Sequence, residues 1–465
     1  MGLSIKFKVI FMNKLILKLI NTYSYKVYST TIETNAKLKK QFLEYLPFII
    51  ASTLTGLVSY FYSQLFFFSE KLSHLIFNLN NLYIFITTPI CFVTSWWLVR
   101  NYAPYAKGSG IPQVMASIEL AKPKSNFMII HFLSFKIIVI KIISSAIKVI
   151  GGGILGREGP TIQISSSIFN QVYKYLPKNW TTISHQNILI AGAASGLAAA
   201  FNTPLGGIIF AMEELSKFHI NHYKSTLFMA VIIAGLTAQG LGGSYLYLGY
   251  PNTKFDGLIV FLGVLIVSIF AGYFGSKLCS LLIQFISFIN SISSKTKQLT
   301  MVLFCSLIIA GSIFLFGTEA MGSGKEIMDR TLFTENKNVE WYLPFLRMFG
   351  LFFSFGFGGA GGIFAPSLST GASLGALIAQ ILQLTGSNAN LLILIGMTAF
   401  LTGVTRAPFT SSIIIFEMTD RHSIIFFLFI GAIIANVIAN FVSKKSFYDH
   451  QKEVYLDEVN FKNVL

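Results

Sequence analysis

Residues 151–160 read Gly-Gly-Gly-Ile-Leu-Gly-Arg-Glu-Gly-Pro and place an arginine and a glutamate inside what is otherwise apolar chain. A carboxylate at membrane depth is costly and marks a functional position. The glycines let the backbone bend and approach a ligand, while Pro160 suits the first turn of a new helix. Glu158 therefore stands at a break between two helices. In a membrane such breaks persist only where they line a cavity, which is where transporters hold ions.

Hydrophobic residues make up 53% of the 465 positions and charged residues 12%. With a mean hydropathy of +0.65 the chain is too apolar for a soluble domain and reads as an all-α polytopic membrane protein. Many runs reach or approach the roughly 20 apolar residues that span a bilayer, but glycines and prolines interrupt them, so tilted, short and broken helices are expected. Cys91, Cys279 and Cys305 lie in apolar stretches without metal or disulfide spacing and read as packing residues.

The net charge of +16 does not suit nucleic acid in so apolar a chain. Part of it lies in residues 1–42, a basic segment expected on the cytoplasmic side. Apolar spans are expected over 43–68, 82–99 and 127–150. The last carries Lys136, Lys141 and Lys148, expected to snorkel or to face a wet or paired environment. Leu258 to Ile289 is long enough for one strongly tilted helix, Lys295 to Lys297 reads as a basic loop, and Thr331 to Trp341 as another. His219 and His222 lie past the end of an apolar segment and read as a cytoplasmic surface, not as metal ligands.

The two halves, about 43–250 and 251–450, echo each other. Pro160 and Pro366 each follow a glycine-rich break and lie 366 − 160 = 206 positions apart. Ala191 to Glu213 resembles Ile395 to Glu417, with Pro204 and Pro408 offset by 408 − 204 = 204. An internal repeat follows, parallel or inverted. Glu213 and Glu417 read as helix-end carboxylates meeting water or a basic neighbour.

Glycine-proline breaks at Ser109, Glu158 and Phe364 each present a helix N-terminus, whose free N–H groups and positive dipole end attract anions. Ser109 offers a hydroxyl donor, and Tyr448 a second if the C-terminal end folds back. A carboxylate at an anion site repels anions unless it occupies the site itself or is protonated, so Glu158 reads as a protonatable gate.

Gly108-Ser109-Gly110-Ile111-Pro112, Gly156-Arg157-Glu158-Gly159-Pro160 and Gly362-Ile363-Phe364-Ala365-Pro366, in that order, resemble the three signature blocks of the CLC family of chloride channels and chloride/proton antiporters. Tyr448 stands where that family's pore tyrosine is expected, and the resemblance runs from about residue 43 to 450. It implies about eighteen tilted helices in two inverted-topology repeats and a homodimer with one pathway per subunit. Ser109 and Tyr448 would hold the anion by their hydroxyls, with backbone N–H groups of Ile363 and Phe364 assisting. Glu158 would be the external gate.

Glu214 matches the position where exchangers of this family carry a second glutamate that passes protons, which favours antiport; a passive voltage- or pH-gated chloride channel is the alternative. An intramembrane hydrolase using Glu158 and Glu214 is a distant third, and the chain is not expected to be an enzyme. The serine at 109 implies chloride as the substrate, with no cofactor and no metal. Gln113 and Met115 stand where bacterial relatives often have acids, which leaves Lys141 without an acidic partner there. The tail 451–465 is short, without nucleotide-binding modules, and a prokaryotic-type protein of the bacterial inner membrane is implied.

Overall fold

The computed structural model describes residues 42–122, 125–176, 183–215, 224–243, 246–419 and 422–464. The basic segment 1–42 therefore lies outside the described residues save for Phe42, as do His219 and His222. Contacts divide the chain into two units. One comprises Met1–Pro47 with Leu176–Ile183, of which only the opening of the first helix and a few flanking residues are described. The other, Phe48–Tyr175 with Ser184–Leu465, holds everything discussed below.

Among the described residues the fold is helical, with two isolated backbone bridges in place of a sheet, and eight helical stretches are long and apolar enough to cross a membrane. α1 covers Phe42–Leu79. The first half continues with α2 (Ile84–Tyr102), α3 (Ile111–Leu120), α4 (Ile129–Phe132), α5 (Phe135–Ile150), α6 (Glu158–Lys174), α7 (His185–Phe201), α8 (Pro204–Phe210) and α9 (Lys224–Gly242). The second contains α10 (Leu258–Ser291), α11 (Lys295–Phe316), α12 (Lys325–Phe333), α13 (Leu343–Phe355), α14 (Phe364–Ile381), α15 (Gly386–Thr405), α16 (Pro408–Thr419), α17 (Ile425–Val442) and α18 (Phe447–Val464).

Several boundaries differ from the sequence expectation. The polar patch at Ser69 to Ser73 does not end α1, because both serines are buried and Ser69 Oγ donates back to Leu65 O at 2.8 Å. Lys295 to Lys297 forms the first turn of α11, not a loop, capped by Ser294. α12 begins within the glycine turn 322–324 and takes in residues expected to be loop, and the tail is the continuous helix α18. Both are too polar for a hydropathy reading to find.

Deep lysines do not snorkel. Lys141 is fully buried and donates to Ala106 O and Gln163 Oε1; Lys148 donates to Gly358 O and lies over the Phe357 ring at 4.6 Å. Short residues let helices cross at backbone contact, as lipid-embedded packing requires: a β-carbon at Gly371 of α14 would strike the Gly396 carbonyl of α15.

The repeat appears as geometry. α6, α7 and α8 recur in order as α14, α15 and α16, and α7 and α15 each end on a left-handed residue, Asn202 (φ 58°) and Arg406 (φ 65°), with 406 − 202 = 204. Glu213 accepts from the N–H groups of Phe409 and Thr410 at 3.1 and 2.7 Å. Glu417 accepts from those of Leu205 and Gly206 at 2.9 and 2.6 Å. Each glutamate thus caps the helix start of the other repeat, and not water or a basic neighbour as expected from sequence. A contact in which i meets j and the equivalent of j meets the equivalent of i is self-complementary, as about a local two-fold axis.

Candidate functional site

The three glycine-proline breaks are tied together by main chain. Gly108 N–H donates to Gly359 O at 2.7 Å and Gly361 N–H to Gly108 O at 3.2 Å. Gly156 and Gly362 exchange N–H to carbonyl bonds of 2.8 and 2.7 Å. The segments feeding α3, α6 and α14 are therefore bound to one another, and their N-termini meet. Each brings N–H groups that have no acceptor within its own helix, and a positive dipole end.

Ser109 is buried in the turn before α3. Gly159 in the first turn of α6 lies so close that a β-carbon there would overlap Ser109 Oγ. Tyr448, in the first turn of α18, is fully buried, and its ring stacks on Phe364 with centroids 6.3 Å apart and planes 17° from parallel. The Ser109 and Tyr448 side chains interact, yet neither hydroxyl meets hydrogen-bond geometry with a protein atom. Buried hydroxyls are normally satisfied. Two unsatisfied donors beside helix N-termini suit an anion, which accepts from both. Ile363 and Phe364, 1% exposed, form the start of α14 at the same place.

Glu158, 1% exposed, lies with its carboxylate directed at backbone N–H groups of Ala365 and of Glu158 itself. Its Oε2 has no hydrogen-bond partner. Gly156 leaves the room it fills: a β-carbon there would overlap Oε2 and lie 3.2 Å from Ala365 N. The carboxylate thus covers the N-terminus of α14, the donor end that an anion would use. Arg157 turns away and donates to Ser63 O at 3.3 Å.

The structure therefore brings Ser109, Glu158, Ile363, Phe364 and Tyr448 together. Glu214 stands apart, in a π-turn over Ala211–Leu215 after α8, and is 8% exposed. Tyr448 lies within electrostatic reach of both Glu158 and Glu214. No group of three or more His, Cys, Asp or Glu among the described residues could hold a metal ion.

Sequence reasoning missed the residues that hold the parts in place. Gln163 accepts from Lys141 and donates to Tyr105 O and Phe132 O at 3.0 and 2.9 Å, so an amide takes the place of the acidic partner. Gln113 donates to Tyr455 Oη at 3.1 Å, and Lys452 pairs with Glu119 at 2.6 Å, which fastens α18 to α3 and so Tyr448 to the Ser109 turn. Nothing local distinguishes these residues; their partners are distant in sequence. A cavity of about 220 Å³, lined by Arg100, Lys107 and Gln451 among others, reaches Ser109.

Comparison with known proteins agrees with this geometry. The family described as voltage gated chloride channel matches residues 91–440. The chain is 27% identical over 373 residues to the H(+)/Cl(-) exchange transporter ClcA of Klebsiella pneumoniae (strain 342), covering 78% of this chain and 77% of that protein. It is likewise 27% identical over 372 residues to ClcA of Salmonella paratyphi B, with the same shares covered. Among solved structures it resembles a slow cyanobacterial Cl-/H+ antiporter, with a TM-score of 0.75 at 22% identity over 90% of this chain and 99% of that one. It also resembles a CLC-type fluoride/proton antiporter, with a TM-score of 0.72 at 20% identity over 88% and 98%. With the family pattern spanning most of the chain and the signature breaks joined in one site, this protein belongs to the voltage-gated chloride channel family.

Proposed function

We propose that this protein exchanges chloride for protons across the membrane. The observation that carries the reading is the position of Glu158, whose carboxylate lies over the Ala365 N–H at the start of α14 and beside the unpaired hydroxyls of Ser109 and Tyr448. Ionised, it occupies the donors an anion needs; protonated, it releases them and carries a proton. Chloride takes the site between Ser109, Tyr448 and the N–H groups of Ile363 and Phe364, and no cofactor is called for. Glu214 passes protons from the opposite side along a route the anion does not occupy. Relatives named as proton/chloride exchange transporters support antiport over a passive channel or an enzyme.

The basic segment before α1 assigns the start of that helix to the cytoplasm and its far end, near Leu79, to the outside. Lys295 and Lys297 beside the cavity that reaches Ser109 assign that cavity to the cytoplasm. Glu158 is then the external gate. The chain works as a homodimer with one pathway per subunit, in the inner membrane of a bacterium.

The test is paired flux measurement on protein reconstituted into liposomes with an imposed chloride gradient. Chloride-driven proton uptake is expected; chloride flux without it makes the protein a passive channel. Glu158→Ala should abolish proton movement while chloride flux persists, and Glu214→Gln should also uncouple protons.

A further inference from the structure

A cavity of about 830 Å³ opens beside the outer part of α1, between Glu70 and His74 on that helix and the Glu319–Arg330 stretch on the other wall. None of the site residues described above lines it. α1 links it to the gate. Tyr62 is buried within electrostatic reach of Glu158 and Arg157, and Ser63 O receives Arg157 Nη1. Glu70 follows Ser63 by seven residues, two helical turns or about 10 Å farther out.

Glu70 is half-buried, and its Oε1 accepts the Ser323 N–H at 2.7 Å. The other acids on this wall are differently placed. Glu319 pairs with Arg330 at 2.6 Å, Asp329 pairs with Lys325, and Glu326 is exposed. Lys71 lies over the Phe67 ring at 4.5 Å, and His74 completes the titratable groups on α1. Behind the wall, Arg347 is committed to the carbonyls of Glu319, Met321 and Gly322. Glu70 is thus held by a main-chain donor and not by a cation, and its charge is felt at both Glu158 and Arg347.

We propose that Glu70 is an outer proton-transfer residue, exchanging protons between the water of this cavity and Glu158 and setting the external-pH dependence of transport. The proposal rests on the antiport reading above. Each cycle moves one proton from cavity water to the Glu70 carboxylate and from there to the Glu158 carboxylate, or the reverse, and no other bond changes. A carboxylate suits the step because it accepts and releases a proton without leaving its main-chain anchor.

Glu70→Gln separates proton transfer from a merely structural role, since its amide oxygen can still accept the Ser323 N–H while the side chain no longer titrates. In liposomes it should retain chloride flux at acidic external pH, lose roughly tenfold in chloride-driven proton uptake near neutrality, and show an altered external-pH profile. Glu70→Asp, which titrates, should restore part of both. Wild-type proton uptake and pH profile in Glu70→Gln would reduce Glu70 to a turn anchor and overturn the proposal while leaving antiport standing. Absence of coupled uptake in the unmutated protein would instead remove the antiport reading, and this proposal with it. Misfolding of Glu70→Gln is detected by loss of chloride flux, in which case Glu70→Asp decides: a wild-type pH profile there supports a titrating role, and loss of flux in both variants leaves only a structural one.

Discussion

Gly159 and Ser109 are packed so closely that the glycine's missing side chain is what gives the serine hydroxyl its place. Gly159→Ala must displace either Ser109 Oγ or the start of α6. Chloride binding should weaken roughly tenfold, or about 1.4 kcal/mol, as read by calorimetric titration of the purified protein. Unchanged affinity would show that the Ser109 hydroxyl does not touch the anion.

Glu213 and Glu417 join the repeats through bonds to opposite helix starts. Replacing either by alanine should cost about 0.5–2 kcal/mol, the range for a lost N-cap. Melting temperatures of the two single variants and the double variant check this. If the two caps act independently, the losses add; a smaller loss in the double variant would reveal that they form one unit.

Arg347 is fully buried and donates to Glu319 O, Met321 O, Gly322 O and Ser369 Oγ. Lysine has no planar fork with which to reach these acceptors together. Arg347→Lys should therefore destabilise the protein by at least about 1.5–3 kcal/mol, the range for a single charge-assisted bond. Thermal unfolding in detergent measures it, and a melting point equal to wild type would contradict the assignment.

Lys107 lies in the turn between α2 and α3 and lines the cavity that reaches Ser109. Burial holds its ammonium below the usual lysine range, with the nearby Glu458 carboxylate pulling it partly back. A lysine is charged below its pKa and neutral above, so the lowered value brings loss of this charge to a lower pH than for an exposed lysine. Chloride flux should fall as pH rises on that side. Lys107→Arg, which stays charged, should flatten the decline, and Lys107→Met should give low flux at every pH. An identical pH profile in all three would exclude Lys107 from the anion route.

Much of the site was legible because its parts violate ordinary membrane composition. Glu158 shows itself as a carboxylate in an apolar chain, and Ser109, Ile363 and Phe364 by glycines leading into prolines. Tyr448 needed the chain end to fold back, and α18 shows why it does: Tyr455 and Lys452 hold α3. That helix escaped a reading based on apolar runs, as did α12, because their side chains are polar. Lys141 was legible as an anomaly but its solution was not, since Gln163 is ordinary by composition and only the fold brings the two together. Glu213 and Glu417 were visible as a pair, whereas their partners lie about 200 positions away and could be found only in three dimensions.

The main-chain bonds that join Gly108 to Gly359 and Gly156 to Gly362 have a consequence for how this protein tolerates mutation. Donors supplied by peptide groups are untouched when a neighbouring side chain changes its charge or size, so the surroundings of the pathway are free to diverge. Vulnerability is concentrated at positions where one added carbon pushes two strands of backbone apart. Genetic variation should thus be borne lightly across most of the helices and poorly at a few glycines, where the smallest possible substitution is among the most damaging.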